Sequence, residues 1–203
     1  MENIDRTAFL AYNRRMGKTK NTKTKYFLWG LRVLLTLACV LFAAFIFANS
    51  LQEAEESVEK SSNVVKAVQK VAAFFDPNSP IANATGEDYD KLHAVVRNLA
   101  HVAEFALFGS LLSWCCFSYT LKKIFQSIPP CALALVALTD EFLQLFTSGR
   151  AFQFTDLLLD VGGGVLGIGF AILTVWCGVL VYKKRKKATG LEPAIENRVG
   201  EEE

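Results

Sequence analysis

Residues 137–169 read ALTDEFLQLFTSGRAFQFTDLLLDVGGGVLGIG, and the fold class turns on them. Ala137 to Phe146 ends one apolar helix, Thr147-Ser148-Gly149 makes a polar turn, and a second apolar helix begins near Phe154. Asp140, Glu141, Gln144, Arg150, Asp156 and Asp160 all lie in this stretch, among side chains apolar enough to be solvated by lipid. A charge at membrane depth costs at least ~2.5–3.5 kcal/mol on insertion scales, so so many in one short stretch call for a polar site inside a helix bundle.

Outward from this stretch, the rest of the 203-residue chain is built for the same solvent. It is 52% hydrophobic, and the apolar residues are blocked rather than spread. Four runs, at about 26–48, 91–119, 130–146 and 154–182, are long enough to cross a hydrocarbon core of ~30 Å. The first follows a basic segment, residues 1–25, but it is too long for a signal-peptide core and no small-x-small cleavage site follows it. Arg32, one to two turns in, is placed to snorkel back to the basic side. Pro129 and Pro130 open the third run, a position where proline is tolerated.

Leu51 to Phe75 differs. Val58, Val65, Val68, Ala72 and Phe75 share one helical face, while Glu53, Glu55, Glu56, Glu59, Lys60, Lys66 and Lys70 fill the others. That pattern predicts an amphipathic helix lying on the membrane or capping the bundle. Asp76 to Pro80 breaks it, and Gly86 to Asp90 makes a second polar turn.

Basic clusters fall before the first run, at Lys122-Lys123, and at Lys183 to Lys187, whereas the connection between the first two runs is acidic. By the positive-inside rule both termini are cytoplasmic. The sequence therefore predicts an all-α membrane protein: a four-transmembrane-helix bundle over 26–182, with an extracytoplasmic amphipathic helix at about 51–75. A cytoplasmic tail at 183–203 has a composition that predicts disorder. The net charge of +2 says nothing by itself; its distribution sets the topology, and no nucleic-acid partner is expected. The five cysteines all lie in apolar runs without zinc-type spacing, and read as packing residues rather than a disulfide framework.

With that topology, depth follows at ~1.5 Å per residue. Arg97, His101 and Glu104, at spacings of four and three, share one face in the outer half of the second span. Asp140, Glu141 and Gln144 close the third span, and Asp156 and Asp160 open the fourth one turn apart. Asn49, Ser50 and Gln52 mark the outer end of the first. The inner halves are nearly free of polar groups, which argues against a channel or proton path and for a pocket open to the outside or the outer leaflet. Gly163 and Gly167 continue the face of Asp156, and small residues at that step let helices approach closely. GGGVLGIG lies inside a span with no preceding strand, so it is not a nucleotide loop.

His101 with Glu104 and Phe105, then Asp140-Glu141-x-x-Gln144-x-Phe146, Gly149-Arg150, Asp156, Asp160, Gly163 and Gly167, resembles the VanZ-like family of bacterial membrane proteins. The likeness runs over roughly Phe45 to Gly169. The family is named for an accessory protein associated with resistance to the lipoglycopeptide teicoplanin. Members often carry Asn where this chain has Asp160, Lys where it has Asn98 and Tyr where it has Phe105. The extra carboxylate makes the site more negative than is usual in the family.

Three readings of the site follow from its chemistry. In the first, the charges only tie helices together, for example Arg97 with Glu104 and Arg150 with Asp156 or Glu141. In the second, Arg97, Arg150 and the surrounding His101, Glu104, Asp140, Glu141, Gln144, Asp156 and Asp160 bind an amphiphile: a membrane lipid, a lipid-linked envelope precursor or a lipoglycopeptide. In the third, an intramembrane enzyme uses His101, Glu104, Asp140 or Asp156 as acid and base, with Arg150 stabilising developing charge. A metal held by His101, Glu104, Asp140 and Asp156 is chemically admissible, but such a set specifies no particular ion, and no metal or other cofactor is assigned. No G-x-S-x-G nucleophile motif is present.

Overall fold

The computed structural model describes residues 22–120 and 123–188. The basic segment up to residue 21, Lys122 and the tail beyond 188 lie outside the described residues. The elements are α1 (Thr22–Ser50), α2 (Ala54–Phe75), α3 (Glu87–Tyr119), a 3-10 turn (Lys123–Ser127), α4 (Ile128–Gln144) and α5 (Phe154–Ala188).

Local sequence sets the ends of these helices. Glu87, Asp88 and Asp90 occupy the first turn of α3, where the positive end of the helix dipole favours acids. Proline stands in the first turn of α4, where no intrahelical N–H is needed. Between α4 and α5, Gly149 adopts φ 74°, a left-handed conformation that glycine takes at no steric cost. Helix α5 continues through the basic run to Ala188.

Three helices among the described residues are long and apolar enough to cross a membrane: Lys25–Ser50, Glu87–Tyr119 and Phe154–Arg185. Their outer faces match. Trp29, Leu34 and Leu41 on α1, and Leu166, Phe170 and Trp176 on α5, are all more than half exposed. So broad an apolar surface is tolerated where lipid is the solvent, and this is the surface of a membrane protein. Among the described residues, the buried apolar cluster is small: Ile46, Phe105, Phe108, Leu133 and Ala137, drawn from α1, α3 and α4.

Helices α3 and α5 run parallel and in register. Their side-chain links, Arg97 to Asp156, His101 to Asp160 and Trp114 to Thr174, keep nearly constant sequence separations of 59, 59 and 60. Helix α1 runs the other way: Arg32 near its start bonds the Ser118 carbonyl (2.9 Å), and Asn49 near its end bonds Glu104 (3.2 Å). Arg32 thus satisfies a carbonyl in the last turn of α3, and its guanidinium stacks over the Tyr119 ring at 5.2 Å. Helix α4 is parallel to α1, since Ser50 at the end of one bonds Asp140 near the end of the other.

The α3–α5 seam is made by glycine. A Cβ added at Gly163 would lie 2.8 Å from the Val102 Cα, and one at Gly167 would lie 2.7 Å from the Ala106 carbonyl carbon while overlapping its oxygen. Gly109 faces Gly164 backbone in the same way, and Gly164 also abuts Leu133. Lipid gives helices no hydrophobic reason to associate, so backbone approach of this kind is what holds them. It also lets the Ser110 hydroxyl reach across to the Gly167 carbonyl at 3.0 Å.

Candidate functional site

The polar groups collect at one end of this bundle, where α1 and α4 finish and α3 and α5 begin. Asp140, Glu141, Gln144, Asp156 and Asp160 are all buried, each no more than 5% exposed. Their partners come from other helices. The Arg97 guanidinium on α3 donates to Asp156 on α5 at 3.1 Å, and one turn further His101 Nδ1 meets Asp160 at 3.0 Å. Asn49 donates to Glu104, and the Ser50 hydroxyl donates to Asp140, which also accepts from Gln144 at 3.3 Å. Glu141 accepts from the backbone N–H of Gln153 at 2.9 Å.

Two of the pairings anticipated from sequence do not form. Arg97 and Glu104 are seven residues apart on one helix, a rise of about 10 Å, whereas the start of α5 lies directly beside Arg97. Arg97 therefore takes Asp156, and Glu104 is left to Asn49. Arg150 makes no ion pair with Asp156 or Glu141: among the described residues its guanidinium is in no ion pair within 4 Å. Burial, reinforced by the neighbouring Arg97, pulls its pKa down from the ordinary value, while Asp140, Glu141 and Asp156 act the other way. An arginine remains charged under any such shift.

A cavity of about 230 Å³ opens among these groups. Arg97, His101, Glu104, Asp140, Gln144 and Arg150 line it, with Asn49, Ser50 and Gln52 from the end of α1 and Ser57, Lys60 and Ser61 from α2. Arg97, Gln144 and Arg150 also line a neighbouring space of about 160 Å³, bounded by Gly149 and Gln153. Glu141, Asp156 and Asp160 line neither wall of the larger space; Asp156 reaches it only through Arg97, and Asp160 through His101.

Helix α2 supplies the cavity residues that sequence reasoning missed. Its apolar face is only partly used: Val65 is buried, while Phe74 and Phe75 are more than four-fifths exposed. Ser57 and Ser61, one turn apart, turn inward instead, and Ser61 bonds His93 of α3 at 2.8 Å. The signal available in sequence was a serine pair at helical spacing on a helix otherwise rich in Glu and Lys. Gly109 and Gly164 were also missed, because the sequence reading followed only the small-residue step from Gly163 to Gly167.

The metal-ligand set considered from sequence is not the one the fold assembles. Asp156 is held by Arg97 and Glu104 by Asn49, which leaves Asp140, Glu141 and Asp160 as the carboxylates that place one oxygen each within 4.8 Å of one another. Gly163 and Gly167 sit in the α3–α5 seam, against Val102 and Ala106.

No curated protein and no solved structure matches the chain. A family model described as VanZ/LLP1 matches residues 34–177, a stretch that contains every side chain of the polar cluster. On that match the protein belongs to the VanZ/LLP1 family.

Proposed function

We propose that the cavity receives the polar headgroup of an amphiphilic envelope molecule, with Arg150 and Arg97 facing its phosphate or carboxylate and its tails lying in the lipid between helices. The observation that carries this reading is Arg150. It lines both spaces and, among the described residues, has no carboxylate within ion-pair distance, so its charge is directed at the cavity rather than at a helix partner. Guanidinium groups recognise phosphate and carboxylate through paired donors. The volume suits a headgroup: drug-sized ligands occupy roughly 300–1,000 Å³, above the 230 Å³ here. A lipoglycopeptide does not fit as a whole, so a contribution to teicoplanin-type resistance would come from binding or shielding a lipid-linked precursor that such drugs recognise.

The reading includes a membrane topology. Helices α3 and α5 are parallel, so the chain from Tyr119 must return along the bundle before Phe154. The 17 residues of α4 rise about 26 Å at ~1.5 Å each, and with the 3-10 turn before them they make a fourth crossing. Both termini then lie in the cytoplasm, α2 lies on the extracytoplasmic side, and the cavity opens there.

Two measurements test this. A cysteine placed at 122 in a chain without its native cysteines is expected to resist an impermeant reagent in intact cells and to label after permeabilisation; labelling in intact cells overturns the topology. Purified protein incubated with envelope lipids and analysed by mass spectrometry is expected to retain one lipid class unchanged. Turnover of that lipid would instead make the protein an intramembrane enzyme, and retention of none would leave the charges as helix ties.

A further inference from the structure

We propose that Asp140, Glu141 and Asp160 bind one divalent cation of the oxygen-preferring class, Mg²⁺, Mn²⁺ or Ca²⁺. The three side chains come from α4 and α5, are 2%, 0% and 0% exposed, and bring one oxygen each within 4.8 Å of one another. Ligand oxygens on opposite sides of such an ion are separated by about twice the metal–oxygen distance, roughly 4.2 Å for Mg²⁺ and 4.8 Å for Ca²⁺. The spacing is thus close to that of one ion's ligand shell, and a small inward turn of the side chains closes all three onto a single ion.

The second, independent observation is what these carboxylates lack. Glu141 Oε1 and Asp160 Oδ2 are buried and have no hydrogen-bond partner among the described residues. Each belongs to a carboxylate whose other oxygen is fixed, by the Gln153 N–H and by His101. Buried polar atoms are almost always satisfied, and a buried anionic oxygen is the costliest kind to leave alone. Asp140, held by Ser50 and Gln144, completes the set. These outer hydrogen bonds orient the oxygens as partners of metal ligands do.

Charge points the same way. With Asp156 matched by Arg97, and Lys60 at the cavity wall by Glu56, four carboxylates remain (Glu104, Asp140, Glu141 and Asp160), against Arg150 and His101. Even with His101 protonated, two negative charges are unmatched, and one divalent ion matches them. An all-carboxylate set with no thiolate or imidazole ligand selects hard cations over zinc or copper.

The inference goes beyond the headgroup reading and does not depend on it. Only Asp140 of the three lines the cavity, so ion binding and lipid binding are separate measurements. The test uses the purified full-length protein in detergent, stripped with chelator and titrated with Mn²⁺ alone while the free-ion electron paramagnetic resonance signal is followed. One saturable Mn²⁺ per chain, competed by Mg²⁺ or Ca²⁺, is expected. Glu141→Gln and Asp160→Asn should each weaken binding at least about tenfold, since loss of even an outer-shell partner has that effect. Asp88→Asn, on the exposed start of α3, should leave it unchanged. Should a variant fail to accumulate, the unmodified protein still decides: its Tm should climb with Mn²⁺ concentration. Absence of saturable binding, full affinity in both buried variants, or a Tm indifferent to Mn²⁺ would each overturn the proposal.

Discussion

The same two helices, α3 and α5, are joined by different means at their two ends. From Val102 to Gly109 the seam is backbone against backbone, with Gly109, Gly163 and Gly167 leaving no room for a Cβ, and hydrogen bonds from Ser110 and Trp114 bridge the rods. One to two turns nearer the start, the contacts are Arg97 with Asp156 and His101 with Asp160. The glycine end is the kind of contact that suffices to associate helices in lipid. The charged end is costly there, because desolvation opposes most of what a buried pair gains. A bundle already held by its glycines has no structural need for five further carboxylates. That contrast supports the proposal that the charged end serves ligand binding.

The comparison can be broken first at the glycine end, where the largest effect is expected. Gly167→Leu drives a side chain into the Ala106 backbone, and overpacking costs about 1–3 kcal/mol or more. Folded protein should be lost from membranes, as read by detergent-extracted yield and gel filtration; a normal yield would mean the seam is dispensable. Gly109→Ala adds one Cβ against Gly164, and should lower Tm without abolishing folding, by a free energy within the same range of about 1–3 kcal/mol.

The charged end should matter less to stability. Arg97 is 38% exposed at its side chain, so a double-mutant cycle of Arg97→Met with Asp156→Asn should give a coupling of about 1 kcal/mol or less. A value well above that would move the charges back into a structural role. Smallest of all is the interhelical bond from Trp114 to Thr174. A cycle of Trp114→Phe with Thr174→Val should give about 0.6 kcal/mol, the average for such bonds in membranes.

How far the sequence reached is visible in the same two regions. The placement of Asp140, Glu141 and Gln144 at one helix end and Asp156 and Asp160 at the start of the next was legible, since period, depth and turn residues all lie within one short stretch. Which acid meets which base was not. His101 finds Asp160 only through the register of α3 against α5, and that register is set by Gly109, Val102 and Ala106 meeting the α5 glycines. Nothing in local spacing encodes the offset of 59 residues. Same-helix reasoning paired Arg97 with Glu104, and failed because seven residues of rise exceed an ion-pair distance. The inward serines of α2 were hidden for a related reason: a helix dominated by Glu and Lys gives no sign of which polar face turns to the bundle.

The central claim is that the charges serve a ligand and the glycines hold the fold, and Arg150→Ala tests it most directly. The measurement pairs Tm of the purified protein with its affinity for phosphatidylglycerol, read by native mass spectrometry. Loss of a hydrogen bond to a charged group is worth about 1.5–3 kcal/mol, so affinity should fall about tenfold or more while Tm stays where it was. A Tm lowered as far as by Gly109→Ala, with phosphatidylglycerol bound as tightly as before, would contradict the account.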